Sequence, residues 1–338
     1  MKHILKSCVA ASAILVSAIA AQAADTTLTI SSWAPPTHGI NAEMWPGLSK
    51  MIEEATDGRV KTELKLGLAP PPAQMDLVMD GAADMTIIFH GYQPGRFIGT
   101  KLIELPGYEG SAEAASVAYW RTYEAHLAAA NEHRGVKLIA LHTHGPAQLH
   151  SNASVTSLDQ LSGLKLRIPG GVGSDVGTAL GATGIAVPAP KVYETLASNA
   201  ADGVVMPFES RKGFKLTEVA KNVYEMPGGL YRGSFAYIMN EDTFADLPAD
   251  IQQALEEKVF GEPISRAIGK AWDAGDAVGR TATVDTESNA INAASAEDQA
   301  KFEAVAAEVR ASVIAEVTAA GVDGQAAYDM IKKEMAAN

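Results

Sequence analysis

The stretch KLRIPGGVGSDVG, residues 165–177, combines a short apolar strand, a glycine-rich turn and the start of a helix. Its glycines Gly171, Gly173 and Gly177 have the spacing GxGxxxG, which is close to the fingerprint of a dinucleotide-binding loop. That fingerprint has one residue fewer before its last glycine, and here Pro169 separates the strand from the turn. The stretch therefore predicts a strand, a turn and a helix within an α/β fold, and it does not favour a nucleotide site.

Arg167 stands near the end of the predicted strand 164–168, between Leu166 and Ile168. Ligands of open α/β sheets bind beyond the carboxyl ends of the strands. A guanidinium matches a carboxylate with two parallel hydrogen bonds, which a lysine cannot do. We predict that Arg167 holds a small anion, assisted by backbone N–H groups of the turn that begins at Gly170. The alternative is an ordinary surface cation.

The N-terminal segment has the features of a Sec-type signal peptide: a short basic start, an apolar run over residues 9–20 and the tripeptide AQA at residues 21–23. Cleavage near Ala23 predicts export to the periplasm. The only cysteine of the chain, Cys8, lies in this segment. We therefore expect neither a disulfide nor a cysteine metal ligand in the mature protein.

The charge of the chain is strongly negative, with 40 acidic and 27 basic residues and a formal charge of −13. Such a balance argues against nucleic acid or an anionic membrane surface as a partner. It leaves a small anionic ligand possible, because the local geometry of a site decides that.

Strand-like and helix-like runs alternate through the first half of the chain, which predicts an α/β protein with largely parallel sheets. The last third is rich in helix-forming residues. The predicted strands are residues 27–33, 60–66, 84–89, 136–141 and 164–168, and the predicted helices are residues 41–55, 73–80, 111–132, 250–282 and 295–319.

The segments that follow the predicted strands are rich in aromatic residues, histidine, glycine and proline. Aromatic side chains there can form a platform for a ligand in a cleft between two domains, although each alone is more typical of a core. Glu209 and Arg211 are candidate hinge or rim charges, with a solvated ion pair as the alternative. The aromatic residues at these strand ends are Trp33, Phe89, Tyr92 and Phe208.

His142 and His144 lie on one face of a strand, an arrangement that a metal site or a hydrolase can use. No acidic residue is close to them in the sequence, and the sequence has no GxSxG motif. We therefore predict no metal, no cofactor and no enzymatic activity. A secreted metal-dependent hydrolase using these two histidines, or a dehydrogenase, is the alternative from another class.

Several motifs, in this order, resemble those of the substrate-binding subunits of TRAP (tripartite ATP-independent periplasmic) transporters. The resemblance covers essentially the whole mature chain, and its most specific part is LDQLSGLKLRIP. It implies a two-domain α/β periplasmic binding protein-like fold of the class II type, with a hinge and a long helix that spans both domains. The motifs are DGAADM at residues 80–85, LDQLSGLKLRIP at 158–169, VYETL at 192–196, ADG at 201–203 and MN at 239–240.

This resemblance implies a division of the chain after the signal peptide of residues 1–23. Residues 24–150 and part of the C-terminal region would form the first domain, residues 151–240 the second, and residues 241–338 a helical region across both. Domain closure would capture the ligand and deliver it to the small and large membrane permease subunits, which use an ion gradient. In this family the arginine of the GLKxRxP segment usually binds the substrate carboxylate, and this role is expected of Arg167.

Other positions depart from the better known sialic-acid and dicarboxylate members of the family. Met206 stands where those often have asparagine, and Ala147 with Gln148 stands where they often have a second arginine. One arginine pairs one carboxylate, so these departures favour a monocarboxylate over a dicarboxylate.

Aromatic residues are gained at the strand ends, with Trp33 after the first strand and Phe89 and His90 after the DM strand. These gains favour an aryl acid, a 2-oxo acid or another acid with an apolar body. An aromatic cage for a zwitterion with a quaternary ammonium group is the alternative.

The sequence thus predicts a periplasmic solute receptor of a TRAP-type secondary importer that binds a small organic acid as a monomer. An ABC-type solute-binding protein of similar fold is the alternative within the same class. The predicted ligand-binding residues are Trp33, Phe89, His90, Tyr92, Gln148, Arg167, Gly170, Met206, Phe208 and Glu209.

Overall fold

The computed structural model describes residues 26–338. The predicted signal peptide lies outside the described residues. Within this range the strands, labelled β1 to β11 in chain order, are Thr26–Ser32, Val60–Leu66, Met85–Phe89, Lys137–Thr143, Gln148–Ser151, Lys165–Arg167, Thr183–Ile185, Gly203–Met206, Asn222–Glu225, Ser234–Met239 and Ala290–Ala293.

The strands form two sheets, which confirms the predicted α/β class. The first sheet has the order β2-β1-β3-β10-β4 and the second has the order β11-β9-β5-β8-β6-β7. We call each sheet with its surrounding helices a lobe. The chain crosses from the first sheet to the second after β4, and it returns before β10; we call residues 144–147 and 226–233 the crossover segments.

Each sheet contains one strand that runs against its neighbours. In the first sheet β10 is antiparallel to β3 and β4, and in the second sheet β5 is antiparallel to β8 and β9. Each of these strands directly follows a crossover segment, so the chain enters it from the other lobe. A strand that pairs in parallel with its neighbour requires a helical connection, and an antiparallel strand does not. The sheets are therefore mixed rather than largely parallel.

The two crossovers also place the sheet boundaries differently from the predicted division at residues 150 and 240. β5 begins at Gln148 and belongs to the second sheet, whereas β10 at Ser234–Met239 lies in the first sheet. Residues of β10 are all buried, as are those of its neighbour β3. Such a strand, buried throughout, fits the centre of either sheet equally well, so its sequence does not say which lobe it joins.

Thirteen α-helices pack on these sheets within residues 26–338. Short π-helical and 3-10 turns accompany them at Ile40–Met44, Tyr123–Leu127, Pro71–Ala73, His90–Tyr92, Ala128–Ala130, Leu158–Leu161 and Ala189–Lys191. The α-helices are Trp45–Ala55, Gln74–Met79, Lys101–Glu104, Ala112–Thr122, Val172–Ala179, Val192–Ala197, Ser210–Gly213, Leu216–Val219, Glu241–Ala245, Ala249–Lys258, Glu262–Val284, Ala296–Ala319 and Gly324–Ala337.

One long helix, Glu262–Val284, connects the lobes. It packs on Ala112–Thr122 and β4 in the first lobe, and on Ser210–Gly213 and β11 in the second. At 1.5 Å per residue, its 23 residues extend over about 35 Å. The single run predicted over residues 250–282 is broken at Gly261, whose φ of 83° is outside the helical region.

No helix within residues 26–338 has the length and apolar character needed to cross a lipid bilayer.

Candidate ligand-binding cavity

A cavity lies between the two lobes. Both sheets, the crossover segments and the long helix contribute to its walls. Arg167 is the only lysine or arginine among the described residues that line it. The lining residues are Trp33, His38, Ile40, Phe89, Tyr92, His144, Arg167, Pro169, Ala189, Met206, Pro207, Glu209, Phe214, Tyr231, Phe235 and Trp272.

Arg167 is the last residue of β6 and is 1% exposed. Its Nε donates a hydrogen bond to the backbone oxygen of Val187 at 2.8 Å, and its Nη2 donates to the hydroxyl of Tyr92 at 3.1 Å. No described carboxylate comes within 4.0 Å of the guanidinium. A buried charge without a counterion is costly.

Tyr92 reaches across the lobes to this arginine. It follows β3 in the first lobe, yet its hydroxyl accepts hydrogen bonds from Arg167 and from the backbone N–H of Ala189 at 2.8 Å, both in the second lobe. Because both of these are accepted bonds, the hydroxyl proton of Tyr92 is still available to an acceptor in the cavity. Tyr92 therefore contributes both its hydroxyl and its ring to the wall of the cavity.

Aromatic rings form most of the apolar wall. Phe89 lies edge-on to Tyr92 with 4.8 Å between ring centroids, and it is 5.1 Å from Phe235. The indole of Trp272, on the long helix, stacks on Phe235 at 5.7 Å. Trp33 is fixed by a 3.0 Å hydrogen bond from its Nε1 to the backbone oxygen of Ile87. The indole N–H groups of Trp33 and Trp272 are both hydrogen-bonded within the protein, so the rings present apolar faces to the cavity.

A second charged group in the cavity wall is already paired. The carboxylate of Glu209 lies 3.2 Å from His38 Nε2 and accepts a 2.9 Å hydrogen bond from Ser210. Burial by itself raises the pKa of Glu209, but the attraction of His38 and the hydrogen bonds outweigh it and lower the pKa from its ordinary value. Glu209 is therefore ionised in the folded protein, and the pair joins the two lobes.

Five of the buried histidines are neutral because burial lowers their pKa values. The pKa is lowered to about 4 for His144 and about 3 for His133 and His150, and it is also lowered for His90 and His142. Each has a protein partner on at least one ring nitrogen. His142 Nδ1 accepts from Trp272 Nε1 at 3.0 Å, while His144 Nδ1 lies 2.6 Å from the backbone oxygen of Gly145.

These contacts do not resemble a metal site. Among residues 26–338, no cluster of three or more histidine, cysteine or acidic side chains has the arrangement of metal ligands. His142 and His144, the pair considered for a metal hydrolase, instead meet different partners in the wall of the first lobe.

The glycine turn after β6 receives a carboxyl group of the protein itself. Glu104 of the first lobe accepts a 2.8 Å hydrogen bond from the backbone N–H of Val172, the first residue of helix Val172–Ala179. A Cβ on Gly171 would stand 2.2 Å from Glu104 Oε2, and one on Gly170 would stand 2.3 Å from the backbone oxygen of Gly91. The glycines thus allow the lobes to approach, and Glu104 rather than a ligand caps this helix.

Six of the ten predicted ligand-binding residues line the cavity and four do not. Gly170 and His90 line a neighbouring groove, together with Gly91. The amide of Gln148 forms two hydrogen bonds with the backbone of Met226, at 2.8 and 3.1 Å. The ring of Phe208 lies under the guanidinium of Arg280 at 4.7 Å. The residues in the cavity wall are Trp33, Phe89, Tyr92, Arg167, Met206 and Glu209.

His90 and Arg211 have structural partners. His90 Nδ1 lies 2.7 Å from Ser234 Oγ, and its Nε2 lies 3.0 Å from His133 Nε2. Arg211, considered as a hinge or rim charge, is fully buried and donates to Thr283 Oγ1 at 2.9 Å and to the backbone oxygen of Ala220 at 2.5 Å.

Sequence reasoning missed several residues of the wall: His38, Phe214, Tyr231, Phe235 and Trp272. Tyr231 and Phe235 follow the second crossover, and Trp272 lies in the middle of the long helix, so none of them follows a predicted strand. His38 could have been found, because it belongs to the loop that follows the first strand.

Comparisons with known proteins agree with this arrangement. A family model described as bacterial extracellular solute-binding protein, family 7, matches residues 31–316. A curated protein of Comamonas testosteroni, named outer membrane transporter protein TsaT, is 28% identical over 325 residues, which is 95% of each chain.

Solved structures give the same family. A TRAP periplasmic solute-binding protein from Bordetella bronchiseptica, crystallised with (R)- and (S)-mandelate, is 36% identical with a TM-score of 0.89, over 92% of this chain and 99% of that one. One from Rhodoferax ferrireducens, in complex with copurified benzoate, is 28% identical with a TM-score of 0.85, over 92% and 98% of the chains. The present chain therefore belongs to bacterial extracellular solute-binding protein family 7 and is a solute receptor of the TRAP type.

Proposed function

We propose that this receptor binds an aromatic monocarboxylate in the cavity between its lobes, with Arg167 as the anchor of the carboxylate. The observation that carries the proposal is the buried guanidinium of Arg167, which has no carboxylate partner among the described residues and lines a cavity rich in aromatic residues. A ligand carboxylate would neutralise this charge through two parallel hydrogen bonds.

The apolar wall supports an aromatic body for the ligand. Phe89, Phe235 and Trp272 form consecutive ring contacts around the cavity, and aromatic rings prefer offset or edge-to-face contact with one another. The relatives from Bordetella bronchiseptica and Rhodoferax ferrireducens were crystallised with mandelate and benzoate. A marine metagenome relative, 26% identical, was crystallised with 3-hydroxybenzoate.

The charges of the cavity support one carboxylate rather than two. Arg167 is the only lysine or arginine in the described wall, and Glu209 would repel a second carboxylate. An ammonium group is also disfavoured, because Glu209 is already matched by His38 and Ser210. The polar groups of the wall therefore select against dicarboxylates and zwitterions.

The cellular setting follows from the family. We propose that the mature chain works in the periplasm after removal of a signal peptide near Ala23, as a monomer without catalytic activity. It would deliver its ligand to the small and large permease subunits of a TRAP transporter. Binding would stabilise a closed arrangement of the lobes, since Arg167 and Tyr92 come from different lobes and both face the anion.

A ligand series tests the proposal on the purified mature protein. Benzoate and mandelate should raise the melting temperature and bind in calorimetry, because a ligand of the native state stabilises it by mass action. Benzyl alcohol, which lacks the charge, succinate, which has two carboxylates, and L-phenylalanine, which is a zwitterion, should bind far more weakly. Equal binding of benzyl alcohol and benzoate would overturn the carboxylate anchor, and tighter binding of succinate would overturn the aromatic monocarboxylate.

A further inference from the structure

Tyr231 lies where the two crossover segments meet. Its backbone oxygen accepts a 3.0 Å hydrogen bond from the N–H of Ala147, and the N–H of Leu230 donates to the oxygen of Ala147 at 2.8 Å. The two crossover segments are therefore hydrogen-bonded to each other at this residue. The side chain of Tyr231 is therefore attached to the connection between the lobes rather than to one lobe.

The side chain of Tyr231 is enclosed by residues of both lobes. It is 2% exposed, and its ring meets His144 edge-on with 5.6 Å between centroids. On the other side, a Cβ on Gly173 would stand 3.3 Å from the ring, in the first turn of the helix that follows Arg167. The ring thus has a fixed place in the wall of the cavity.

The hydroxyl of Tyr231 has no hydrogen-bond partner among residues 26–338. A buried tyrosine hydroxyl normally finds a partner, because leaving it without one costs free energy. Burial raises the pKa of this phenol far above its ordinary value, and the positive charge of Arg167 opposes that rise. The group is therefore a protonated donor that lies within the field of Arg167.

We propose that the Tyr231 hydroxyl donates a hydrogen bond to the ligand carboxylate that Arg167 anchors. The inference rests on the proposed function, because it needs a carboxylate in the cavity. A carboxylate offers about four acceptor positions. Two of them fit the Arg167 guanidinium, and the others fit the free protons of Tyr92 and Tyr231. The donors then come from the second lobe, the first lobe and the connection between them.

This arrangement gives Tyr231 a role in selecting the closed state. A ligand bonded to Arg167 alone would stay with the second lobe in any domain arrangement. Bonds to Tyr92 and Tyr231 would require the first lobe and the crossover segments to lie as they do in this structure. The ligand then favours closure by the free energy of these additional bonds.

The test compares Tyr231→Phe with Tyr237→Phe in the full mature protein. Tyr237 is a matched control, because it is also fully buried with an unpartnered hydroxyl but does not line the cavity. A hydrogen bond to a charged group predicts a loss of about 10- to 100-fold in benzoate affinity for Tyr231→Phe. For Tyr237→Phe we expect less than about a twofold change in benzoate affinity. Without ligand, the two variants should have similar melting temperatures.

The outcomes separate this inference from the proposed function. If wild type binds benzoate and Tyr231→Phe binds it equally well, the inference is wrong while the proposed function stands. If wild type binds no aromatic carboxylate, both fail. A crystal structure with benzoate provides the second measurement, in which the Tyr231 hydroxyl should lie about 2.5–3.0 Å from a carboxylate oxygen. A separation beyond hydrogen-bond distance would contradict the inference even if the affinity fell.

Discussion

The guanidinium of Arg167 and the hydroxyl of Tyr92 are 3.1 Å apart although they belong to different lobes. The same hydroxyl accepts the backbone N–H of Ala189 at 2.8 Å. One side chain of the first lobe thus bonds to two groups of the second, next to the cavity. If the cavity binds an anion as proposed, closure of the lobes would also complete the anion site.

Tyr92→Phe should weaken the binding of aromatic carboxylates about tenfold, because it removes one hydrogen bond to the ligand and two between the lobes. Calorimetry with benzoate measures the loss. Tyr193→Phe is the control, since the Tyr193 hydroxyl bonds to Glu218 on the surface at 2.8 Å, away from the cavity. Unchanged affinity in Tyr92→Phe would show that its hydroxyl is not part of the anion site.

Arg167→Ala should reduce benzoate affinity at least 100-fold, because removal of one partner of a buried ion pair costs about 3–5 kcal/mol. The stability of the ligand-free protein should change little. The variant loses two hydrogen bonds, which is destabilising, but it also loses a buried charge without a counterion, which is stabilising. Calorimetry and chemical denaturation measure the two quantities separately.

Arg211→Ala is the matched contrast to Arg167→Ala. Arg211 is equally buried in the same lobe, but its guanidinium donates to Thr283 and to backbone oxygens of the protein. We therefore expect about 2–4 kcal/mol less stability for Arg211→Ala, because buried acceptors lose their donor, and a smaller loss of affinity than in Arg167→Ala. The reverse pattern would contradict the assignment of Arg167 to the ligand.

Gly171→Ala should destabilise the closed arrangement. Gly171 has φ 59° and ψ −151°, a region that residues with a Cβ adopt only with about 1–3 kcal/mol of strain. The new Cβ would also stand 2.2 Å from Glu104 Oε2. We expect weaker benzoate binding and a lower melting temperature. Gly47→Ala serves as the control, because this helical position has no atom within 4 Å of an added Cβ and alanine favours a helix.

Glu104 should make stability fall as pH rises. Burial raises the pKa of this carboxyl to about 8, although the N–H of Val172 and the charge of Lys101 lower it. In the unfolded chain its pKa is about 4.3. Between these two values the folded state holds a proton that the unfolded state lacks. The contribution of Glu104 to the free energy of unfolding is therefore complete below the unfolded pKa. It is lost as pH rises toward 8, by at most about 1.4 kcal/mol per pH unit.

Glu104→Gln tests this expectation, because its amide oxygen can still accept from Val172 but cannot ionise. Chemical denaturation at pH 5 to 8 should show the variant gaining stability relative to wild type as pH rises. The comparison uses the difference in stability between the two proteins. Burial raises the pKa of Asp276 to about 7. Asp276 and the neutral histidines affect the pH dependence of both proteins alike, so their effects cancel in the difference. A difference that stays constant with pH would refute the role of Glu104.

Local patterns predicted the individual elements well. The strand predicted at residues 60–66 is Val60–Leu66, and the helix predicted at 295–319 is Ala296–Ala319. The predicted helix 111–132 instead continues beyond Thr122 as a π-helical turn and a 3-10 turn. Periodicity gives the type of an element because it reflects which face is buried, but it does not resolve such changes of helical geometry.

The lobes were harder to predict than the elements. β10 is buried throughout and joins the first sheet between β3 and β4, far from both in sequence. Strand pairing of this kind depends on non-local contacts, which a single sequence does not record. The assignment of residues 234–239 to the second domain failed for this reason.

By itself, the sequence determined that this is an α/β protein with an arginine at the end of a strand and a family-specific motif around it. These features are local, and a guanidinium that follows a strand has few roles. Only the tertiary structure decided what surrounds that arginine. Tyr231 and Trp272 lie 64 and 105 residues beyond Arg167 in the sequence, yet all three line one cavity. The turn of glycines, which suggested a phosphate loop, instead receives Glu104 from the other lobe, because the fold brings a buried carboxylate to the first N–H of that helix.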